Sequence, residues 1–274
     1  MNNRALPVLF LLTVTAVTSA ATPTAQVGPG DDWCQREYRN NSDREVACEV
    51  REYTVTAAGT MAVDASPNGG IEVLGGPRRD ILVQAKVVAQ AESQQRARQI
   101  VTGVNVSAAP DKVTANGPGD LGRREGWSVS YRLAVPTIAS LSLRTTNGGI
   151  VIRDVDGDID FRTVNGGVKL TNLAGNVKGR TSNGGVDVDL EGPGWKGEGL
   201  DVETSNGGVH LRIPEQYSAR LETGTVNGGL NIDFPVQVQG RLDRLDRQIN
   251  LDLGAGGAPI RVRTHNGGVK VSKK

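Results

Sequence analysis

Six copies of one short pattern, Thr-x-Asn-Gly-Gly followed by an apolar residue, constrain this chain more than any other feature. Their asparagines are Asn147, Asn165, Asn183, Asn206, Asn227 and Asn266, and Ser66-Pro67-Asn68-Gly69-Gly70-Ile71 is a forerunner. The first two spacings are 18 residues, the next two 23 and 21, and the last 39, read here as two periods with a degenerate middle copy. A period of this size implies stacked copies of one supersecondary unit.

Three and five residues after each Asn the side chain is apolar, as in Val168/Leu170, Val186/Val188 and Val269/Val271, with mostly polar residues between. Leu141/Leu143, Leu200/Val202 and Ile260/Val262 alternate in the same way before the Asn. Period-two alternation is the mark of a strand with one buried face. Each unit therefore reads as strand, Asn-Gly-Gly corner, strand, with Gly157 and Gly175 marking a second corner.

Two folds bury the same residues. Asn-Gly between alternating strands is a strong hairpin signal, so a meander of hairpins is one. In the other, a single-chain parallel β-solenoid, the corners stack about 4.8 Å apart, and side-chain amide ladders can run through them. Only stacked corners explain why each uses the same Thr-x-Asn-Gly-Gly, so the expectation is an all-β, β-helix-like solenoid, with the meander as the alternative.

Residues 1–20 carry Arg4, an apolar run from Leu6 to Val17 and then small residues, the pattern of a secretory signal peptide. No other run approaches the roughly 20 apolar residues of a membrane span. Residues 21–51 form a leader and a polar segment holding the only cysteines, Cys34 and Cys48. In an exported protein such a pair is expected to form a structural disulfide. Residues 52–136 read as an N-terminal β region interrupted by one short helix over about 89–102, rich in Gln, Arg and Ala, with a thin apolar side suited to an outer face or an end of the stack. Residues 137–274 are the repeat region, where Lys270, Lys273 and Lys274 are expected to guard a final edge strand.

The order of these segments, ending in Leu-Arg-Thr-Thr-Asn-Gly-Gly-Ile and its copies, resembles a bacterial β-strand-repeat family of unknown function labelled "putative adhesin". The resemblance covers about residues 50–274. It implies a β-solenoid, export to the envelope and no established catalytic residues.

Candidate chemistry is sparse. Asp154, Asp156, Asp158 and Asp160 alternate as if on one strand face, but Ile159 stands where an EF-hand loop needs Gly. His210 and His265 lack a neighbouring Cys or second His and read as surface residues. Stacking sets Asp187 near Lys169 and His210, as expected of charge pairing across strands. With 31 basic and 30 acidic residues there is no basic stripe for nucleic acid. No catalytic, cofactor-binding or metal-binding residue is assigned.

The expected function is that of an exported, non-catalytic adhesin or cell-envelope structural or binding protein, periplasmic or at the cell surface. Its partner would be a cell-surface glycan or an envelope protein. The alternatives are a carbohydrate-active enzyme on a β-helix scaffold and an envelope-stress regulatory component. Recognition is expected in the loops around Trp195 and Tyr217, which break the period, and not at the corners, which repeat one structural chemistry.

Overall fold

A computed structural model describes residues 26–27, 32–35, 43–233 and 247–274. The leader over 1–20 and most of Gln239–Gln248 lie outside the described residues. The fold is all-β, with two sheets facing each other across one core. One sheet has eleven strands in the order Gln26–Val27, Glu45–Thr56, Asp80–Ala91, Gly126–Pro136, Ile71–Gly76, Ile150–Arg153, Val168–Thr171, Val186–Asp189, Val209–Ile213, Val269–Lys273 and Leu230–Asp233. The second has ten, in the order Gln248–Leu253, Ala219–Asn227, Pro259–Asn266, Gly199–Asn206, Ala174–Asn183, Asp156–Asn165, Ser140–Arg144, Thr60–Asp64, Lys112–Asn116 and Asn105–Ala108.

Both sheets are mixed. Neighbouring repeat units are joined by parallel ladders in register, Val168 opposite Val186 in one sheet and Thr163 opposite Thr181 in the other. Antiparallel pairs flank them: Glu45–Thr56 with Asp80–Ala91, Asp80–Ala91 with Gly126–Pro136, and Ala219–Asn227 with Gln248–Leu253. A parallel solenoid throughout is therefore not what forms, because the long N-terminal strands return directly on one another.

The corners explain the repeat. From Asn147 on, each Asn amide donates to the side-chain oxygen of the preceding Asn at 2.8 to 2.9 Å, in the spatial order Asn68, Asn147, Asn165, Asn183, Asn206, Asn266, Asn227. In the six Thr-x-Asn-Gly-Gly copies the Thr is buried, and its hydroxyl donates to the first glycine's carbonyl next door at 2.7 to 2.9 Å. Each such bond contributes about 1 kcal/mol net. The first glycine is obligatory for a steric reason: a Cβ on Gly166 would stand 2.0 Å from the Gly148 carbonyl oxygen, and one on Gly184 2.1 Å from that of Gly166.

The order of that ladder corrects the reading of the 39-residue spacing. The unit containing Asn266 is inserted between those of Asn206 and Asn227, and among the described residues no further corner copy stands in the interval. The extra length supplies Gln248–Leu253, which pairs outside Ala219–Asn227. It follows that Val269–Lys273 is an interior strand, not an edge. Lys273 pairs with Glu215 and Lys274 with Glu191.

The helix is Gln94–Gly103, not 89–102. Ala89 and Ala91 still belong to Asp80–Ala91 and are fully buried there. Ser93 caps the helix by accepting from the Arg96 amide, and Arg51 donates to the carbonyls of Val101 and Val104 at the other end. Ala97, Ile100 and Val101 are buried against Glu45–Thr56, Asp80–Ala91 and Gly126–Pro136 at one end of the eleven-stranded sheet, while Gln95, Arg98, Gln99 and Thr102 on the opposite side are exposed. A four-residue helical turn, Asp32–Gln35, is tied to strand Glu45–Thr56 by the expected Cys34–Cys48 disulfide, with Cα atoms 5.7 Å apart.

The two glycines of one corner should differ sharply. Gly184→Ala places its Cβ inside a neighbouring backbone and is expected to cost about 3 kcal/mol, whereas Gly185→Ala, with 3.4 Å to the nearest atom, should cost under about 1 kcal/mol. Urea unfolding of both variants checks it, and equal losses would refute the steric account.

Candidate functional site

A cluster of reactive side chains lies on the outer face of the eleven-stranded sheet. Parallel register sets Lys169, Asp187, His210 and Lys270 in one row, and Thr171, Asp189, Arg212 and Ser272 in the next. The His210 Nε2 atom is 3.1 Å from Ser272 Oγ, and its Nδ1 is 3.6 Å from Asp187 Oδ1. Asp, His and Ser thus stand in the order of a nucleophilic triad.

The chemistry runs the wrong way for one. A guanidinium has no acceptor, and Arg212 Nη1 faces His210 Nδ1 at 3.1 Å, so Nδ1 accepts and the ring proton sits on Nε2, donating to Ser272. A general base would need the reverse tautomer, held by a hydrogen bond to Asp187. At 3.6 Å that bond is not made. The backbone of Val269–Lys273 is also laddered on both sides, so no pair of free N–H groups faces Ser272 as an oxyanion hole. The arrangement is a hydrogen-bonded charge cluster centred on Arg212. The fork of Arg212 on Asp189 holds that carboxyl below the usual range.

A groove of 420 Å³ on the second sheet is lined by two carboxylates, Glu203 and Glu222. Glu222 receives Arg261 at 2.7 Å, Arg263 at 3.1 Å and Arg220 at 3.5 Å, and hydrogen bonding by Arg261 first of all lowers its pKa. A general acid needs a raised pKa. Among the described residues no group of three or more His, Cys, Asp or Glu is placed to hold a metal ion.

The expected recognition residues are placed otherwise. Tyr217 is only 2% exposed, and burial pushes its phenol pKa up. Trp195 is half-buried against the core, its indole N–H donating to the Gly175 carbonyl at 3.0 Å. Both rings cover the flank of the stack, because the segment around them turns back onto it through the Gly194–Ser218 bridge. The four aspartates do not share a face either: Asp154 occupies a left-handed corner with φ 58° and accepts from Asn172, while Asp158 and Asp160 are exposed on the strand. The corner asparagines are exposed but engaged with one another. Trp33, beside the disulfide, lies over Arg132 at 3.9 Å and Lys86 at 5.0 Å, a cation–π contact with no sequence signal. Ser272 was equally hidden, since only insertion of the last unit brings it to His210.

These features define an all-β protein of laddered repeat units with polar outer faces. The chain belongs to the Toastrack DUF4097 family, whose model matches residues 128–272. A search of curated proteins found no match. Among solved structures, a "putative cell adhesion protein" from Clostridium sporogenes is 11% identical, with 84% of this chain and 100% of that one covered and a TM-score of 0.44. A "putative adhesin" from Bacteroides fragilis is 9% identical, with coverage of 83% and 97% and a TM-score of 0.38. A "Putative lipid binding protein" from Parabacteroides distasonis is 10% identical, with coverage of 81% and 96% and a TM-score of 0.27.

Two outcomes follow. Hydrolysis of p-nitrophenyl esters by the protein should be no faster than by Ser272→Ala; a clear rate that this change abolishes would restore the triad. Secondly, Asp189 has a depressed pKa, and Glu125, fixed by Arg96 and the Gly122 amide, is lowered to about 2. A carboxyl lowered in the fold stabilises it above its unfolded value, about 4, and that support is lost as pH falls through the folded value. Stability should therefore decline from about pH 4.5 towards pH 2, and Glu125→Gln should flatten the decline in acid titrations followed by circular dichroism.

Proposed function

We propose that this protein is an exported, non-catalytic binding or scaffold component of the bacterial cell envelope, adhesin-like in role, with its repeat units acting as a solenoid-like rigid support. The observation that carries the reading is the continuous corner ladder from Asn68 to Asn227, which holds two outer faces in register across many strands. Such faces offer extended recognition surface, and the Asp187–Asp189–His210–Arg212 cluster on one of them is committed to its own members. Export is supported by the leader-like residues 1–20 and by the Cys34–Cys48 disulfide, a bond at home in an oxidising compartment. Among the described residues no helix is long and apolar enough to cross a membrane. Residues 21–51 are read as an accessory segment, and 52–136 and 137–274 as two parts of one stack. The partner class is a surface glycan or an envelope protein.

Cell fractionation and binding to immobilised glycans and envelope fractions test the proposal together. The tagged full chain should appear, cleaved after its leader, in the periplasm or at the surface, and should be retained without turning over any glycan. A cytosolic, uncleaved protein would refute export, and glycan turnover would refute the non-catalytic role.

A further inference from the structure

On the outer face of the ten-stranded sheet, Arg162 stands directly opposite Arg144 on one neighbouring strand and Arg180 on the other. All three side chains are exposed. Like charges placed opposite one another weaken a sheet, and elsewhere on this face the conflict is resolved: Arg220, Arg261 and Arg263 converge on Glu222. In the row of three it is not. Among the described residues the Arg144 and Arg162 side chains have no hydrogen-bond or ion-pair partner, and Arg180 has only Glu203, at 3.2 Å, with both side chains well exposed. Lys178 adds a fourth cation to the same groove, which measures 280 Å³. Asp160 and Asp201 flank Lys178 in the adjoining row, and the arginine row itself is bounded by an acid at each end, Asp64 opposite Arg144 and Glu203 opposite Arg180.

We propose that the Arg144–Arg162–Arg180 row binds a linear acidic polysaccharide, its carboxylates lying across the strands. This deepens the glycan-binding reading above and rests on it. The charge and its spacing select the ligand. Strands lie about 4.8 Å apart, so the arginines repeat on the scale of one sugar unit and suit a polymer with a carboxylate on each. A guanidinium fork takes a carboxylate through two parallel hydrogen bonds. The only ring lining the groove, Phe161, is buried, so there is no platform for a neutral sugar. A stiff polymer loses little freedom on lying along a rigid row.

The test uses the full chain on immobilised polygalacturonate, with fully methyl-esterified polymer as the uncharged control. Retention is expected on the acid form alone and should fall steeply with salt. Arg162→Gln should weaken it about tenfold while leaving the melting temperature unchanged or higher, since a repulsion is relieved. Glu203→Gln should tighten it. Equal retention on the ester, equal retention on polyphosphate, or unchanged binding by the triple Arg144→Gln, Arg162→Gln, Arg180→Gln variant would each overturn the inference. If that triple variant still holds to other glycans or envelope fractions, only the arginine row falls. If the parent protein is retained on no glycan or envelope fraction, the binding role beneath it falls as well.

Discussion

The structure depends on how closely the corners approach one another. A first-position glycine such as Gly207 leaves so little room that a Cβ would come within 2.0 Å of the Gly184 carbonyl oxygen. That contact lets the Thr hydroxyl reach the same carbonyl and brings the Asn amides into a chain of hydrogen bonds. Three residue types are thus tied to one geometry: Gly for the approach, Thr to satisfy a buried acceptor, Asn to link exposed edges. With the corners pinned, register follows in both sheets, and each apolar pair falls on its counterpart next door. Where a bulky core residue intrudes, its neighbour yields: Phe161 lies opposite Gly179, whose Cβ would sit 2.1 Å from the ring.

Because every corner has the same chemistry, any repeat unit can lie beside any other, and the C-terminal one uses that freedom. It enters between units that are adjacent in sequence and moves Asn227 to the outside of the ladder. The insertion also joins side chains from distant segments. Ser272 meets His210, and Lys273 and Lys274 reach Glu215 and Glu191, ion pairs that lie across the junction instead of guarding an edge.

The outer faces are free of the close-approach constraint, and their residues vary from unit to unit. One face gathers Asp187, Asp189, His210 and Arg212 into a self-satisfied cluster. The other sets three arginines in line with two of them unpaired. A rigid support with variable polar faces is the physical basis for a binding role, since recognition can change there without disturbing the corners.

The repeat, the strand alternation, the apolar columns and the cysteine pair were legible in the sequence, since each is a local pattern whose physics acts within a few residues. Thr163, Asn165 and Val168 declare a buried hydroxyl, an exposed corner and an inward strand without reference to the rest of the chain. The helix boundary was not, because Ala89 and Ala91 favour a helix by propensity but are held in a strand by their ladder to Glu45–Thr56. Nor were the burial of Tyr217 and the half-burial of Trp195, since an irregular segment carries no period to show which way it turns. The order of the units was beyond any local pattern: identical corners are interchangeable by design of their own chemistry, so only the folded stack decides which neighbours meet, and with them which side chains on the outer faces face each other.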